Sequence, residues 1–187
     1  MVRDNFLQRK QDVLSKLDKS SIGDWDFQIK GLCDKINKSD DFYTTSSCSG
    51  RIIVMIDQDK KAPGLFEFVS HDAVEISSFF KSLSKEQAGL DLKFKSEPPI
   101  LHVACRTLED AEILLDKARK VGWKRSGIIS MGKNIVVELI STEKLEFPLT
   151  KKGKMLVSDE FLKIVLEKAN NNLKKGWVKI KELKKLI

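Results

Sequence analysis

Arg51-Ile52-Ile53-Val54-Met55-Ile56-Asp57 is the stretch on which the fold turns: five consecutive apolar residues, the first three β-branched, held between an arginine and an aspartate. An apolar run this short, rich in β-branched residues, reads as a buried strand. A lysine-rich turn with Pro63 and Gly64 follows and leads to Leu65–Ser70, so the two segments are expected to pair antiparallel. Such pairing is foreign to the regular strand-helix alternation of a dinucleotide-binding sheet, and the chain carries no Gly-x-Gly-x-x-Gly or Walker sequence.

Reading outward toward the N-terminus, Phe42-Tyr43-Thr44-Thr45-Ser46-Ser47-Cys48-Ser49-Gly50 is taken as irregular, hydroxyl-rich chain entering the strand. Before it, Trp25, Ile29, Leu32, Cys33 and Ile36 form one helical stripe with Asp24 as its cap, and Phe6, Leu7, Val13, Leu14 and Leu17 suggest an opening helix. Toward the C-terminus, Asp72 with Glu75 reads as a capping box for a helix burying Ile76, Phe79, Phe80 and Leu83. Leu92–Lys95, a Pro98-Pro99 break and the strand Ile100–Arg106 come next. Thr107 with Asp110 then opens a helix with Ala111, Leu114, Leu115 and Ala118 on its apolar face and Gly122 at its end. Ser126–Met131 and Ile135–Ile140 read as a hairpin. A Lys-Lys-Gly-Lys loop, a helix from Ser158 to about Leu173 and a separate basic helix with Trp177, Ile180, Leu183 and Ile187 complete the chain.

The expected class is therefore α+β: a mixed β-sheet of about six strands with helices packed on it, in two pseudo-repeated half-units, and not a Rossmann-type methyltransferase. One domain is expected over 1–187, with N-terminal helices in 1–41, a sheet core with the catalytic pocket in 42–150 and basic helices in 151–187.

With 187 residues, 41% hydrophobic and 33% charged, the composition excludes disordered and collagen-like chains. No apolar run approaches a membrane span and the N-terminus does not resemble a signal peptide, so a cytoplasmic protein without membrane contact is expected. Three cysteines without a C-x-x-C pair and two histidines give no metal-site spacing, and no metal is assigned. The net charge of +7 resides in residues 151–187, where 11 lysines face four carboxylates. Lysines 151, 152, 154, 174, 175, 179, 181, 184 and 185 suit a phosphate backbone, although the segment alone reads more readily as a solvated, solubilising face.

Two groupings suggest chemistry. Ser46-Ser47-Cys48-Ser49-Gly50-Arg51 offers hydroxyls, a permissive glycine and a guanidinium, fit to cradle a carboxylate or phosphate, or else to satisfy its own turn. In Ile100–Arg106 the period of two places His102, Ala104 and Arg106 on one face, with the small alanine leaving room between two donors, unless the face is simply a half-exposed edge. His71 could join this group. Cys48 as a nucleophile, and Asp26 as a helix-start carboxylate, are further candidates.

Four segments together resemble one family: Phe42–Ile52; Ile100-Leu101-His102-Val103-Ala104-Cys105-Arg106; Gly122-Trp123-Lys124-Arg125-Ser126-Gly127-Ile128; and Leu145-Glu146-Phe147-Pro148-Leu149. In order and spacing they are similar to the tRNA wybutosine-synthesizing protein 3 family, and the length resembles its archaeal form. The resemblance implies a methyltransferase that uses S-adenosyl-L-methionine to methylate N4 of the 4-demethylwyosine intermediate beside the anticodon of phenylalanine tRNA. On that reading Ser46, Ser47, Ser49, Gly50 and Arg51 bind the cofactor, and His102 and Asp26 are catalytic. His71, Arg106, Ser126 and Lys133 bind the substrate. The rival readings are a non-catalytic RNA-binding module and a cysteine hydrolase. The oligomeric state is left open.

Overall fold

The computed structural model describes residues 5–15, 26–58, 64–83, 89–132 and 134–187. In chain order the elements are α1 (Asn5–Leu14), α2 (Phe27–Asn37), β1 (Phe42–Cys48), β2 (Arg51–Ile56), β3 (Phe66–Ser70), α3 (Ile76–Leu83), β4 (Leu92–Glu97), β5 (Ile100–Cys105), α4 (Leu108–Lys120), β6 (Gly127–Met131), β7 (Ile135–Ile140), β8 (Leu145–Pro148), β9 (Thr150–Lys151), β10 (Lys154–Met155) and α5 (Asp159–Leu186). Asp24, Trp25, Leu17 and Lys133 lie outside the described residues.

The fold is α+β, but the expected single mixed sheet is replaced by two four-stranded sheets, β1-β5-β7-β6 and β3-β2-β4-β8, and a β9-β10 ribbon. Every described strand pair is antiparallel. The strands also interleave instead of forming consecutive half-units. β1 and β2 follow each other in sequence yet join different sheets, as do β4 and β5. Pro98-Pro99 explains the second switch: prolines lack the N–H that would continue a ladder, and each holds its predecessor in extended conformation.

The chain forms two compact units. The first contains the described residues up to Ser49, Pro99–Thr142 and Trp177–Ile187. Leu101, Val103 and Cys105 of β5 and Val137 and Leu139 of β7 face Ile29, Leu32, Cys33 and Ile36 of α2 and Ala111, Leu114, Leu115 and Ala118 of α4. Trp123, Ile180 and Leu183 belong to the same buried cluster. The Trp123 indole is fully buried and donates from Nε1 to the Lys179 carbonyl at 3.3 Å. At the start of α4 the expected capping box is formed: Thr107 Oγ1 accepts from Asp110 N at 3.1 Å while Asp110 Oδ2 accepts from Thr107 N at 3.0 Å. Such a cap contributes about 1 kcal/mol.

The second unit contains Gly50–Pro98 and Glu143–Gly176. Its sheet buries Ile52, Val54, Leu92 and Phe94, together with Phe79 of α3 and Leu162, Leu166 and Ala169 of α5. Aromatic contacts run from Phe68 to Phe79 to Phe94 to Phe147 to Phe161, with ring centroids 5.4, 5.9, 5.2 and 5.5 Å apart. α3 begins at Ile76, later than an Asp72 cap requires. The Asp72 N–H instead donates to Ser70 Oγ at 3.1 Å, a local turn that competes with helix initiation.

Two further expectations are corrected. Phe42–Cys48 is not irregular: it is strand β1, because its backbone groups are taken by β5 despite a hydroxyl-rich sequence. The two expected C-terminal helices are one 28-residue helix. Asn170-Asn171-Asn172 and Gly176 have poor helix propensity, but tertiary contacts override it. Asn170 Oδ1 accepts from Val74 N at 2.8 Å, and its Nδ2 donates to Val74 O at 2.9 Å. Asn172 and Gly176 are buried.

Candidate functional site

In the first unit, the register aligns one polar row across all four strands. Ser46 of β1 lies opposite His102 of β5, His102 opposite Glu138 of β7, and Glu138 opposite Gly127 of β6. Directly opposed residues share a face, and this one is opposite the face carrying Leu101, Val103 and Val137 into the core. His102 Nε2 and Glu138 Oε2 are 2.9 Å apart, and both side chains are about a third exposed, at 29% and 31%. A bulge between Thr44 and Ser46 resets the register of β1, so that Ser46 meets His102.

Glu138, the partner of His102, is a candidate that sequence reading missed. The signal was present: Val136, Glu138 and Ile140 alternate onto one face of β7, and a carboxylate there interrupts an apolar strand.

The end of β1 is held from α2. Asp26 immediately precedes α2 but makes no side-chain cap bond to it; its Oδ2 accepts from the Ser49 backbone N–H at 2.7 Å. Ser49 is fully buried, and its hydroxyl has no hydrogen-bond partner among the described residues. A buried hydroxyl without a partner is costly, and it marks the turn as able to receive a polar group. Gly50 follows at φ 95, a conformation open to glycine and strained for other residues. Ser46 is exposed and Ser47 half-buried.

The structure does not bring Arg106 to His102 as the alternation suggested. Arg106 donates from Nη2 to the Asp40 carbonyl at 3.0 Å, lies 3.4 Å from Asp41 Oδ1 through Nε, and stacks 5.4 Å from the Phe6 ring centroid. Ala104 between the two is fully buried, opposite Tyr43, whose ring is 5.1 Å from that of Phe6. The space expected there is covered by α1. Ser126 is likewise committed: its hydroxyl donates to Trp123 O at 2.7 Å and accepts from Ile140 N at 3.1 Å.

None of the three cysteines is in a disulfide. Burial pushes the Cys33 and Cys105 thiols up to about 12, so neither offers a thiolate near neutral pH. Cys48, at the end of β1, is half-buried.

In the second unit, Arg51 of β2 faces Glu97 of β4, and its Nε donates to Glu97 Oε2 at 2.7 Å. The guanidinium sits 5.4 Å from the centroid of Phe66, a ring that is 48% exposed. The ion pairs continue along the same face, with Lys95 3.1 Å and Lys144 2.8 Å from Glu146. His71 is half-buried just after β3.

The lysines near the C-terminus are not equivalent. Lys179 Nζ donates to Ser141 Oγ at 3.0 Å and to Gly122 O at 3.3 Å, a structural role in the first unit. Lys185 pairs with Glu182 at 2.7 Å, while Lys174, Lys175, Lys181 and Lys184 are exposed. At the β9–β10 turn Lys151 Nζ reaches Asp91 Oδ2 at 2.6 Å, and Lys152 has φ 50, a left-handed conformation. No helix among the described residues is long and apolar enough to cross a membrane.

An α+β chain with a polar row and an open-ended serine turn, and without a parallel nucleotide-binding sheet among its described residues, is defined as to class by the family model that matches residues 8–187, described as Methyltransferase TYW3. The protein is a methyltransferase, and the chain belongs to the TYW3 family. It is 39% identical over 183 residues, covering 96% of this chain and 91% of the relative, to a tRNA(Phe) 7-((3-amino-3-carboxypropyl)-4-demethylwyosine(37)-N(4))-methyltransferase from Archaeoglobus fulgidus. It is 36% identical over 178 residues to a tRNA wybutosine-synthesizing protein 3 homolog from Xenopus laevis, covering 91% of this chain and 70% of the relative. The solved structure of the PH1069 protein from Pyrococcus horikoshii superposes with TM-score 0.86 at 34% identity, over 97% of this chain and 93% of that one.

Proposed function

We propose that this protein methylates N4 of 7-(3-amino-3-carboxypropyl)-4-demethylwyosine in phenylalanine tRNA, with S-adenosyl-L-methionine as donor, in the cytoplasm. The observation that carries the chemistry is the 2.9 Å contact between His102 Nε2 and Glu138 Oε2 on the polar face of the first sheet. The name and 39% identity of the Archaeoglobus relative support the substrate.

The acceptor nitrogen carries a proton that must leave as its bond to carbon forms. With Nε2 protonated and donating to Glu138, the imidazole lone pair lies on Nδ1, available to take that proton. Glu138 is then a positioning residue that fixes the tautomer and ring orientation. When bound, the cofactor supplies an electrophilic methyl group on sulfur: it would give up that methyl carbon to the new N–C bond and leave with the S–C bonding pair. Ser46, Ser47 and Ser49 would hold its polar end, and the buried, unpartnered Ser49 hydroxyl supports that fit. Alignment of the two reactants can contribute roughly 7 to 11 kcal/mol.

Asp26 acts by holding the Ser49 N–H, which fixes the turn, and Arg51 is assigned to an anionic group of the cofactor. His71 and Lys133 are assigned to the substrate by the family resemblance alone. Arg106 and Ser126 support the site through the backbone contacts described above.

The test is incubation with methyl-labelled S-adenosyl-L-methionine and phenylalanine tRNA arrested at the demethyl stage, followed by nucleoside mass analysis. One labelled methyl on the tricyclic base is expected. Saturable tRNA binding with no incorporation would leave a non-catalytic RNA-binding module.

A further inference from the structure

We propose that the tip of the β9–β10 hairpin, Lys151-Lys152-Gly153-Lys154, is a phosphate clamp for the backbone of the RNA substrate. The inference rests on the tRNA reading above and narrows a broad lysine-rich region to one rigid turn.

Lys151 and Lys154 are directly paired, so the loop consists of Lys152 and Gly153 alone, with φ 50 and 73. Positive φ at both positions is the pattern of a type I′ turn, which favours Asn-Gly. Lys152 is the one non-glycine residue with positive φ among the described residues. Its preference does not impose that geometry; its neighbours do. Asp91 Oδ1 accepts from the Lys152 N–H at 2.6 Å, and Asp91 Oδ2 accepts from Lys151 Nζ at 2.6 Å. Gly153 N–H donates to Leu90 O at 3.0 Å. Thr150 Oγ1 donates to Leu90 O at 2.8 Å and accepts from Leu92 N at 2.9 Å.

Asp91 thus anchors the turn and answers one of its three ammonium groups. Lys152 and Lys154 are exposed and have no ion pair among the described residues. Two exposed ammonium groups without an ion pair among the described residues, on a turn already held in place, suit phosphodiester oxygens, since little conformational freedom is lost on contact. The contact is with backbone charge and is insensitive to base sequence.

The experiment compares wild type with Lys152→Asn/Lys154→Gln, in which asparagine suits the left-handed position, so the hairpin is retained without its charges. Affinity for phenylalanine tRNA is measured between about 50 and 200 mM salt, where each phosphate contact contributes roughly 0.7 to 0.9 to the slope of log affinity against log salt. The slope is expected to fall by about 1.4 to 1.8 in the double variant and to be kept in Lys152→Arg/Lys154→Arg. An unchanged slope, or an equal loss from Lys174→Gln/Lys181→Gln on α5, overturns the clamp. So does lost binding to phosphatidylserine vesicles with tRNA binding intact. A wild-type protein that binds tRNA but transfers no methyl group defeats the enzymatic reading, while the slope comparison still decides the clamp.

Discussion

The carboxylate of Asp26 closes the end of β1: its Oδ2 takes the backbone N–H of Ser49 at 2.7 Å, across 23 positions of sequence. A hydrogen bond to a charged acceptor holds a serine-rich turn against the start of a helix. Asp26→Ala is expected to cost about 1.5 to 3 kcal/mol of stability in urea denaturation. It should also weaken cofactor binding, whereas Asp26→Asn, which keeps an acceptor oxygen, loses less of both. Equal affinity in all three proteins would show that the turn does not depend on this contact.

His102→Ala is expected to slow single-turnover methyl transfer by about 10²- to 10⁴-fold, the usual contribution of a positioned proton acceptor. Cofactor affinity should change little. In Glu138→Gln the loss should be smaller, because the amide oxygen can still accept from Nε2 and hold the ring, and Glu138→Ala should lose more than Glu138→Gln. Equal rates in the two Glu138 variants would remove that positioning role, and a wild-type rate in His102→Ala would remove the imidazole from the reaction.

Arg51→Ala is predicted to weaken S-adenosyl-L-methionine binding in calorimetric titration while the second unit stays folded. Arg51→Lys should not restore it, because an ammonium cannot reproduce the guanidinium geometry that serves Glu97 and Phe66 together. Unchanged affinity in the alanine variant would reject a cofactor role.

Lys151, through its hydrogen bond, together with the Lys152 N–H, holds the Asp91 carboxyl below its ordinary value. A carboxyl depressed in the folded state stabilises the fold above its unfolded value of about 3.9, and that contribution is lost as pH falls through the folded value. Asp91→Asn should therefore lower the urea midpoint near neutral pH, and the two proteins should converge only as pH falls through and below the depressed folded value. Parallel midpoints at both pH values would contradict that linkage.

Periodicity and capping made α2, α4 and the β6–β7 hairpin legible, because their burial follows local patterns: Leu32 and Cys33 inward on α2, Thr107 with Asp110 at the start of α4. Sheet membership was not legible. Nothing local to β1 shows that its partner is β5, or that β2 pairs with β4 instead. That information lies in non-local register and in Pro98-Pro99, which reads equally well as a simple break. Asn170 and Gly176 are weak helix formers, so the unbroken course of α5 is not legible locally, and the contact that supports Asn170 is with Val74, far off in sequence.

The candidate site was legible in part. His102 and the serine turn stood out by residue type. Glu138 did not, since one carboxylate on a strand becomes informative only when its opposite residue is known to be His102. Arg106 misled for the converse reason. Alternation places it on the His102 face, but the strand ends at Cys105, and the guanidinium turns to Asp40, Asp41 and Phe6.

Interleaved strands also bear on how the nascent chain matures. The first sheet needs β1, β5, β6 and β7, and its core still lacks Ile180 and Leu183 until the ribosome has translated nearly all of α5. Neither sheet can be completed from a contiguous fragment that omits the strands of the other, so folding is expected to follow synthesis, at the slow pace set by distant pairings. Cutting the gene between the two sheets would yield no independent half, and removing residues 174–187 to test their lysines would take structural side chains with them.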